Sequence, residues 1–171
     1  KNACCSLLII FASLFIVLAL ILIINSVPDG MNAEYLNSTT NGTQEVDSLD
    51  PIVFELNQTT NGNAISHIPG SPTFEITESG AYLVTFNSSV SRVEGQPLIL
   101  VSAVLNLNGT NIPATLVTVN PDAPGEISSF SFQIIIEIPA GETGTLQVIN
   151  ASTGAANFID PNINIIKIAD I

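Results

Sequence analysis

From Pro51 onward the sequence alternates apolar and polar residues with a period of two, in short β-branched and aromatic runs cut by turn residues. This pattern gives each strand an apolar face and leaves no stripe for a helix, so the chain must bury strands face to face. In Ala81–Val90, Tyr82, Val84, Phe86 and Ser88 share one face, and Leu83, Thr85 and Asn87 the other. In Leu98–Leu107, one face is apolar throughout (Ile99, Val101, Ala103, Leu105, Leu107) and is expected to face the core. Further strands are predicted over Ile52–Leu56, Thr73–Thr77, Ile112–Asn120, Ser128–Ile138, Gly144–Asn150 and Asn162–Ala169. Turns are expected at Glu78-Ser79-Gly80, at the hairpin pair Asn108-Gly109, through Pro121–Gly125, at Pro139–Glu142 and at Gly154–Ala156. About eight short strands with no helical period after Ile24 predict an all-β, antiparallel sandwich or barrel. No internal repeat supports a solenoid or propeller.

The N-terminus is a different material. No charged residue occurs from Asn2 to Pro28, and Leu7–Ile24 is almost continuously apolar. Leu7, Leu8, Ile10, Phe11, Leu14, Phe15, Val17, Leu18, Ile21, Leu22 and Ile24 would cover every face of a helix, which therefore has to be sequestered. Such a helix is about 27 Å long at ~1.5 Å per residue, close to the ~30 Å of a bilayer core. One reading is a membrane anchor through residues 7–24, with Lys1 inside and the acidic remainder outside. Another is an assembly connector buried in a neighbouring oligomer, since isoleucine-rich helices favour trimeric and larger bundles. A cleaved signal peptide normally has a shorter apolar region. The division predicted is a hydrophobic helix over 1–26, a polar linker over 27–50 and a β domain over 51–171. The linker rests on the turn Val27-Pro28-Asp29-Gly30 and the polar run Asn37–Thr43.

Cys4 and Cys5 are the only cysteines, and neighbours in sequence bridge each other only with strain. They are candidates for an intermolecular disulfide, for acylation beside a membrane, or for no role.

Fifteen Asp and Glu against three Lys and Arg give a net charge of −12. A nucleic-acid partner is excluded, because phosphate neutralisation needs basic side chains. Catalysis is poorly provided for. His67 stands without a companion histidine or cysteine or a nucleophile motif and reads as a plain loop or strand-end residue, so no enzyme and no cofactor are expected. Asp47/Asp50 and Glu75/Glu78 lack the spacing of a calcium loop and read as solvated surface. Six Asn-x-Ser/Thr sequons begin at Asn37, Asn41, Asn57, Asn87, Asn108 and Asn150. A chain rich in Asn, Ser and Thr generates such triplets by composition alone, and Asn108 is accounted for by its turn.

The stretch Phe74-Glu75-Ile76-Thr77-Glu78-Ser79-Gly80-Ala81-Tyr82-Leu83-Val84-Thr85-Phe86 resembles the core of C1q/TNF-like jelly rolls, with Phe74, Gly80, Tyr82 and Phe86 carrying the likeness. The ending Asn162-Ile163-Asn164-Ile165-Ile166-Lys167-Ile168 is similar to the last strand of the bacterial members, among them the heads of collagen-like exosporium glycoproteins on spores. No Gly-X-Y triplets precede it, so a collagen stalk cannot form. The resemblance implies a jelly-roll sandwich over roughly Ile52–Ile171, a homotrimer, and an extracellular location at a cell or spore surface. Strands apolar on both faces, such as Leu98–Leu107 and Ser128–Ile138, fit a sandwich whose second face meets sister subunits. The function expected is a structural subunit of a fibre or surface appendage. Its trimeric heads would stack into a filament through the N-terminal helices, with a surface anchor protein as a further partner. The alternative is a membrane-anchored trimeric ectodomain acting as an adhesin or receptor ligand.

Overall fold

Residues 33–95, 100–123 and 125–171 are described by the computed structural model of the chain. Their strands are β1 Tyr35–Thr39, β2 Thr43–Val46, β3 Leu56–Asn61, β4 Ile65–His67, β5 Phe74–Ile76 and β6 Gly80–Arg92. The second half supplies β7 Val101–Leu107, β8 Thr110–Asn111, β9 Val117–Val119, β10 Ser128–Ile138, β11 Gly144–Asn150 and β12 Ala156–Ala169. One sheet runs β10-β6-β12-β1-β3, with β2 paired to the start of β12. The other runs β4-β5-β11-β7-β8, with β9 on β7. Every pairing is antiparallel, and the chain crosses repeatedly between the sheets, as a jelly roll does.

The period-two pattern decides what lies between the sheets. Tyr82, Val84 and Phe86 of β6, Phe130, Phe132 and Ile136 of β10, and Ile163 and Ile165 of β12 fill one side. Phe74, Ile76, Leu146, Val148, Val101, Ala103 and Leu105 answer from the other. The face of Leu98–Leu107 expected to be apolar is the inward one over its described length. Phe86 sits 5.3 Å from Phe132 between ring centroids, and Phe54 lies 5.2 Å edge-on to Phe74.

The family-motif residues are structural. Phe74, Tyr82 and Phe86 are fully buried. The Tyr82 hydroxyl donates to the Glu78 carbonyl at 2.8 Å, so the buried ring keeps its polar end satisfied. Gly80 has φ +153°, and a Cβ there would lie 2.6 Å from the Ala169 carbonyl oxygen. At Asn108-Gly109 the predicted hairpin is present, with φ of 51° and 81° and Leu107 facing Thr110.

Several expectations need correction. The segment 27–50 is not a linker over its described part: residues from Ala33 onward belong to one compact unit with the rest of the domain. β1 pairs with β12 from Tyr35↔Ile166 to Thr39↔Asn162. Its inward residues are Leu36 and Ser38, and a strand built from Asn, Ser and Thr escapes any reading based on hydropathy. Ile52–Leu56 is not a ladder strand. Ile52 and Phe54 are buried anchors, while the Val53 N–H and carbonyl are taken by the Gln44 side-chain amide at 3.1 and 2.9 Å. Ile112–Asn120 is broken by a 3-10 turn at Pro113–Thr115, because proline has no N–H to give a ladder. β3 and β4 lie in polar sequence where no strand was expected. The predicted helix 1–26 lies outside the described residues.

Candidate assembly face

The outer face of the β10-β6-β12-β1-β3 sheet is ordered in rows by strand register. The first row is Ile135–Leu83–Ile166–Tyr35–Asn61, each residue directly opposite the next. The second is Gln133–Thr85–Asn164–Asn37–Thr59, and the third Ser131–Asn87–Asn162–Thr39–Leu56. None of the three rows contains a charged residue, in a chain whose net charge is −12. Charge depletion with aromatic and aliphatic anchors marks the centre of protein–protein interfaces, whereas an ordinary acidic surface would scatter carboxylates across it.

Local chemistry fixes this face. Asn37 Nδ2 donates to Asn164 Oδ1 at 2.6 Å and to Asn162 Oδ1 at 3.2 Å, and Asn164 Nδ2 donates to Asn162 Oδ1 at 3.1 Å. These amides lock one another in place beside the apolar row. A bulge at Asp160-Pro161 lets β12 pair with β2 before it and β1 after it. Asp160 takes φ +48°, held by backbone and side-chain bonds to Gly42, including Gly42 N–H to Asp160 Oδ1 at 2.6 Å. Along the lower rows runs a shallow polar groove of about 440 Å³ between Ser89, Ser129, Ser131 and Asp160.

Ser128–Ile138 keeps an uncovered apolar residue: Ile135 is 57% exposed. On β7 the second face is closed within the chain instead. Val104 and Ile149 pair across β7 and β11, and both are buried. Among the described residues, the sheet that includes β10 thus leaves apolar side chains exposed on several strands, with Tyr35 on β1, Leu56 on β3 and Ile135 on β10.

The remaining site candidates are dispersed. His67 ends β4, stacked 4.2 Å from Phe74, with Nε2 2.9 Å from the Ser71 carbonyl oxygen and Nδ1 2.6 Å from Asn57 Oδ1. It stands at a strand end, and its side chain is packed and hydrogen-bonded within the domain. Burial pushes its pKa below 6.5, and the Ser71 carbonyl offsets only part of that. Protonation is thus weaker in the folded than in the unfolded chain, so lowering the pH through and below about 6.5 costs stability. Thermal denaturation across that range should show a falling midpoint, and His67→Gln should flatten the His67-linked part of the slope. An unchanged slope in the variant would refute this assignment.

Glu78 and Asp170 both hold Lys167, at 2.8 and 2.7 Å, and raise its pKa, Asp170 most. Both partners are exposed, so the pair adds little to stability. No group of three or more His, Cys, Asp or Glu among the described residues is placed to hold a metal ion. Asn150 is fully buried and Asn37 and Asn57 are engaged in side-chain bonds, whereas Asn41 is exposed at the β1–β2 turn. Cys4, Cys5 and the apolar residues from Leu7 to Ile24 lie outside the described residues.

The strand order and the two antiparallel sheets define a C1q/TNF-like jelly roll. The family model described as "BclA C-terminal domain" matches residues 34–169, and the chain belongs to that family. Among solved structures it is similar to Eiger TNF from S. frugiperda, at TM-score 0.58 and 15% identity, covering 82% of this chain and 94% of that one. It is also similar to PRD1 vertex protein P5, at 0.52 and 13%, covering 81% and 99%. Murine APRIL at pH 8.0 gives 0.52 and 10%, covering 80% and 99%. These likenesses carry the fold. No curated protein matches the sequence.

Proposed function

We propose that the chain is a non-catalytic structural subunit of an extracellular assembly at a cell or spore surface. Its jelly rolls form homotrimers through the three uncharged rows of that face, and the trimers are joined into a filament through residues 7–24. The observation carrying this reading is the block of three uncharged rows on the outer face, with its Ile135–Leu83–Ile166–Tyr35 row, in an otherwise strongly acidic chain. Closed rotational symmetry is the usual way for identical chains to cover such a face. Family membership supports the surface location, since bacterial relatives of this kind head exosporium glycoproteins. An apolar segment that needs cover on all sides supplies the link between trimers. Cys4 and Cys5 precede this segment in the sequence and would staple that joint covalently.

Negative-stain microscopy of the full chain without detergent tests the proposal. Regular filaments are expected, and cleavage before Ala33 should release particles with the mass of three β domains by light scattering. Extraction only with detergent, followed by soluble trimers after the cut, would instead identify a lipid-anchored ectodomain. Monomers after the cut would overturn both readings.

A further inference from the structure

The chain contains three Asn-Gly steps, Asn41-Gly42, Asn61-Gly62 and Asn108-Gly109. Such steps are chemically labile, because glycine has no Cβ to keep its backbone nitrogen away from the preceding side-chain amide. The fold holds the three differently. Asn108 is fixed at both ends: its N–H donates to the Thr145 carbonyl at 2.9 Å, and its Oδ1 accepts from Thr145 N–H at 2.7 Å. Asn61 pairs with Tyr35 in the β1–β3 ladder, and its Nδ2 donates to the Ala33 carbonyl at 2.7 Å. Asn41 lies between β1 and β2, outside both strands, exposed and with no hydrogen-bond partner for its side-chain amide among the described residues. The peptide that follows it differs too. Gly42 N–H donates to Asp160 Oδ1 at 2.6 Å, and the Gly42 carbonyl accepts from Asp160 N–H at 2.9 Å. A carboxylate therefore sits on the proton that must leave before the glycine nitrogen can attack. At Gly62 the nearby Glu34 carboxylate is taken instead by the N–H groups of Asn63 and Ala64.

We propose that Asn41 is a self-modification site, converting to aspartate and isoaspartate with the Asp160 carboxylate as the base. The Gly42 nitrogen passes its proton to Asp160 and bonds to Asn41 Cγ. The Cγ–Nδ2 bond then breaks, and Nδ2 leaves as ammonia with the proton that Asp160 returns. One water opens the resulting five-membered imide. Opening at Cγ gives aspartate, and opening at the Asn41 carbonyl carbon leaves the chain running through Cγ as isoaspartate. The imide has no Gly42 N–H, so it loses the bond that helps hold Asp160 at φ +48°. The product carries a new negative charge in the turn between two strands that pair with β12 on either side of its bulge, at Thr39↔Asn162 and Thr43↔Ile159. Conversion should therefore lower the Tm of the β domain.

The test incubates the full chain, folded and unfolded in urea, in warm neutral buffer and reads aspartate and isoaspartate at each of the three asparagines by peptide mass spectrometry. In urea the three should convert at similar rates, since only their sequence context acts. Folding should speed Asn41 and slow Asn61 and Asn108, separating them by about tenfold or more. Asp160→Asn keeps an acceptor oxygen and tolerates the left-handed backbone, but it cannot take the proton. The side chain it introduces is followed by Pro161, which has no N–H to attack it. This variant should keep its circular dichroism and convert Asn41 about tenfold or more slowly. The proposal is overturned if folding slows Asn41 as it slows the other two. It is equally overturned if the folded variant converts Asn41 at the parent's rate. Should the variant fail to fold, the comparison of folded and unfolded parent decides alone.

Discussion

Asn150→Ala is expected to lower the stability of the β domain by about 2–4 kcal/mol, which is a fall of about 5–15 °C in Tm for a domain of this size. The reason is the position of the amide rather than its size. Asn150 is fully buried at the end of β11, and its Nδ2 donates to the carbonyls of Val46 at 2.8 Å, Asp47 at 3.2 Å and Gly154 at 3.2 Å. Its Oδ1 accepts from Ser152 N–H at 2.9 Å. One side chain therefore satisfies the end of β2, the turn after it and the loop into β12. Alanine would strand those groups where water does not reach them. Asn150→Asp should be worse at neutral pH, because a buried carboxylate cannot donate to three carbonyls, and protonation at low pH should return part of the loss. Denaturation followed by circular dichroism measures both variants. A Tm for Asn150→Ala within a degree or two of the parent would show that the hub is not what ties these loops. The same burial keeps any glycan off this sequon in the folded chain.

The contrast between Asn150 and Tyr82 shows what the sequence could reveal. Tyr82, Val84 and Phe86 share one face of a single strand by the period of two alone, and the structure puts all three in the core. The same rule located β10 and β11 with their observed bounds. It failed where polar residues do a strand's work. Ser38 is buried in β1 because its hydroxyl donates to the Leu56 carbonyl at 2.9 Å, a compensation that exists only once residues eighteen positions apart have met. Gln44 likewise stands in for a missing strand beside Val53. The candidate face was half visible: Ile135 announced an apolar second side on β10, but its row needs the register of four strands to bring in Leu83, Ile166 and Tyr35.

Ile166→Asp combined with Ile135→Asp should abolish self-association of the β domain, raising its dissociation constant at least about a hundredfold, since desolvating unpaired carboxylates costs several kcal/mol. Ile166 lies on β12, the middle strand of the five, and Ile135 on the edge strand β10, so the pair charges both the centre and the margin of the face. In a symmetric oligomer each substitution is repeated in every copy, and like charges are brought together around the axis. Both side chains point away from the core, so the monomer should keep its β-sheet circular dichroism while its Tm falls only by the share that association contributed. Leu116→Asp is the control: Leu116 is 54% exposed against 57% for Ile135, but it lies between the 3-10 turn and β9, a strand paired to β7 of the other sheet, and belongs to none of the three rows. Sedimentation of the three proteins at equal concentration should give an assembled parent, an assembled Leu116→Asp and a monomeric double variant. If the double variant sediments with the parent, the charge-free rows are not where the copies meet. If Leu116→Asp also falls apart, exposed apolar area in general, and not this register of side chains, holds them together.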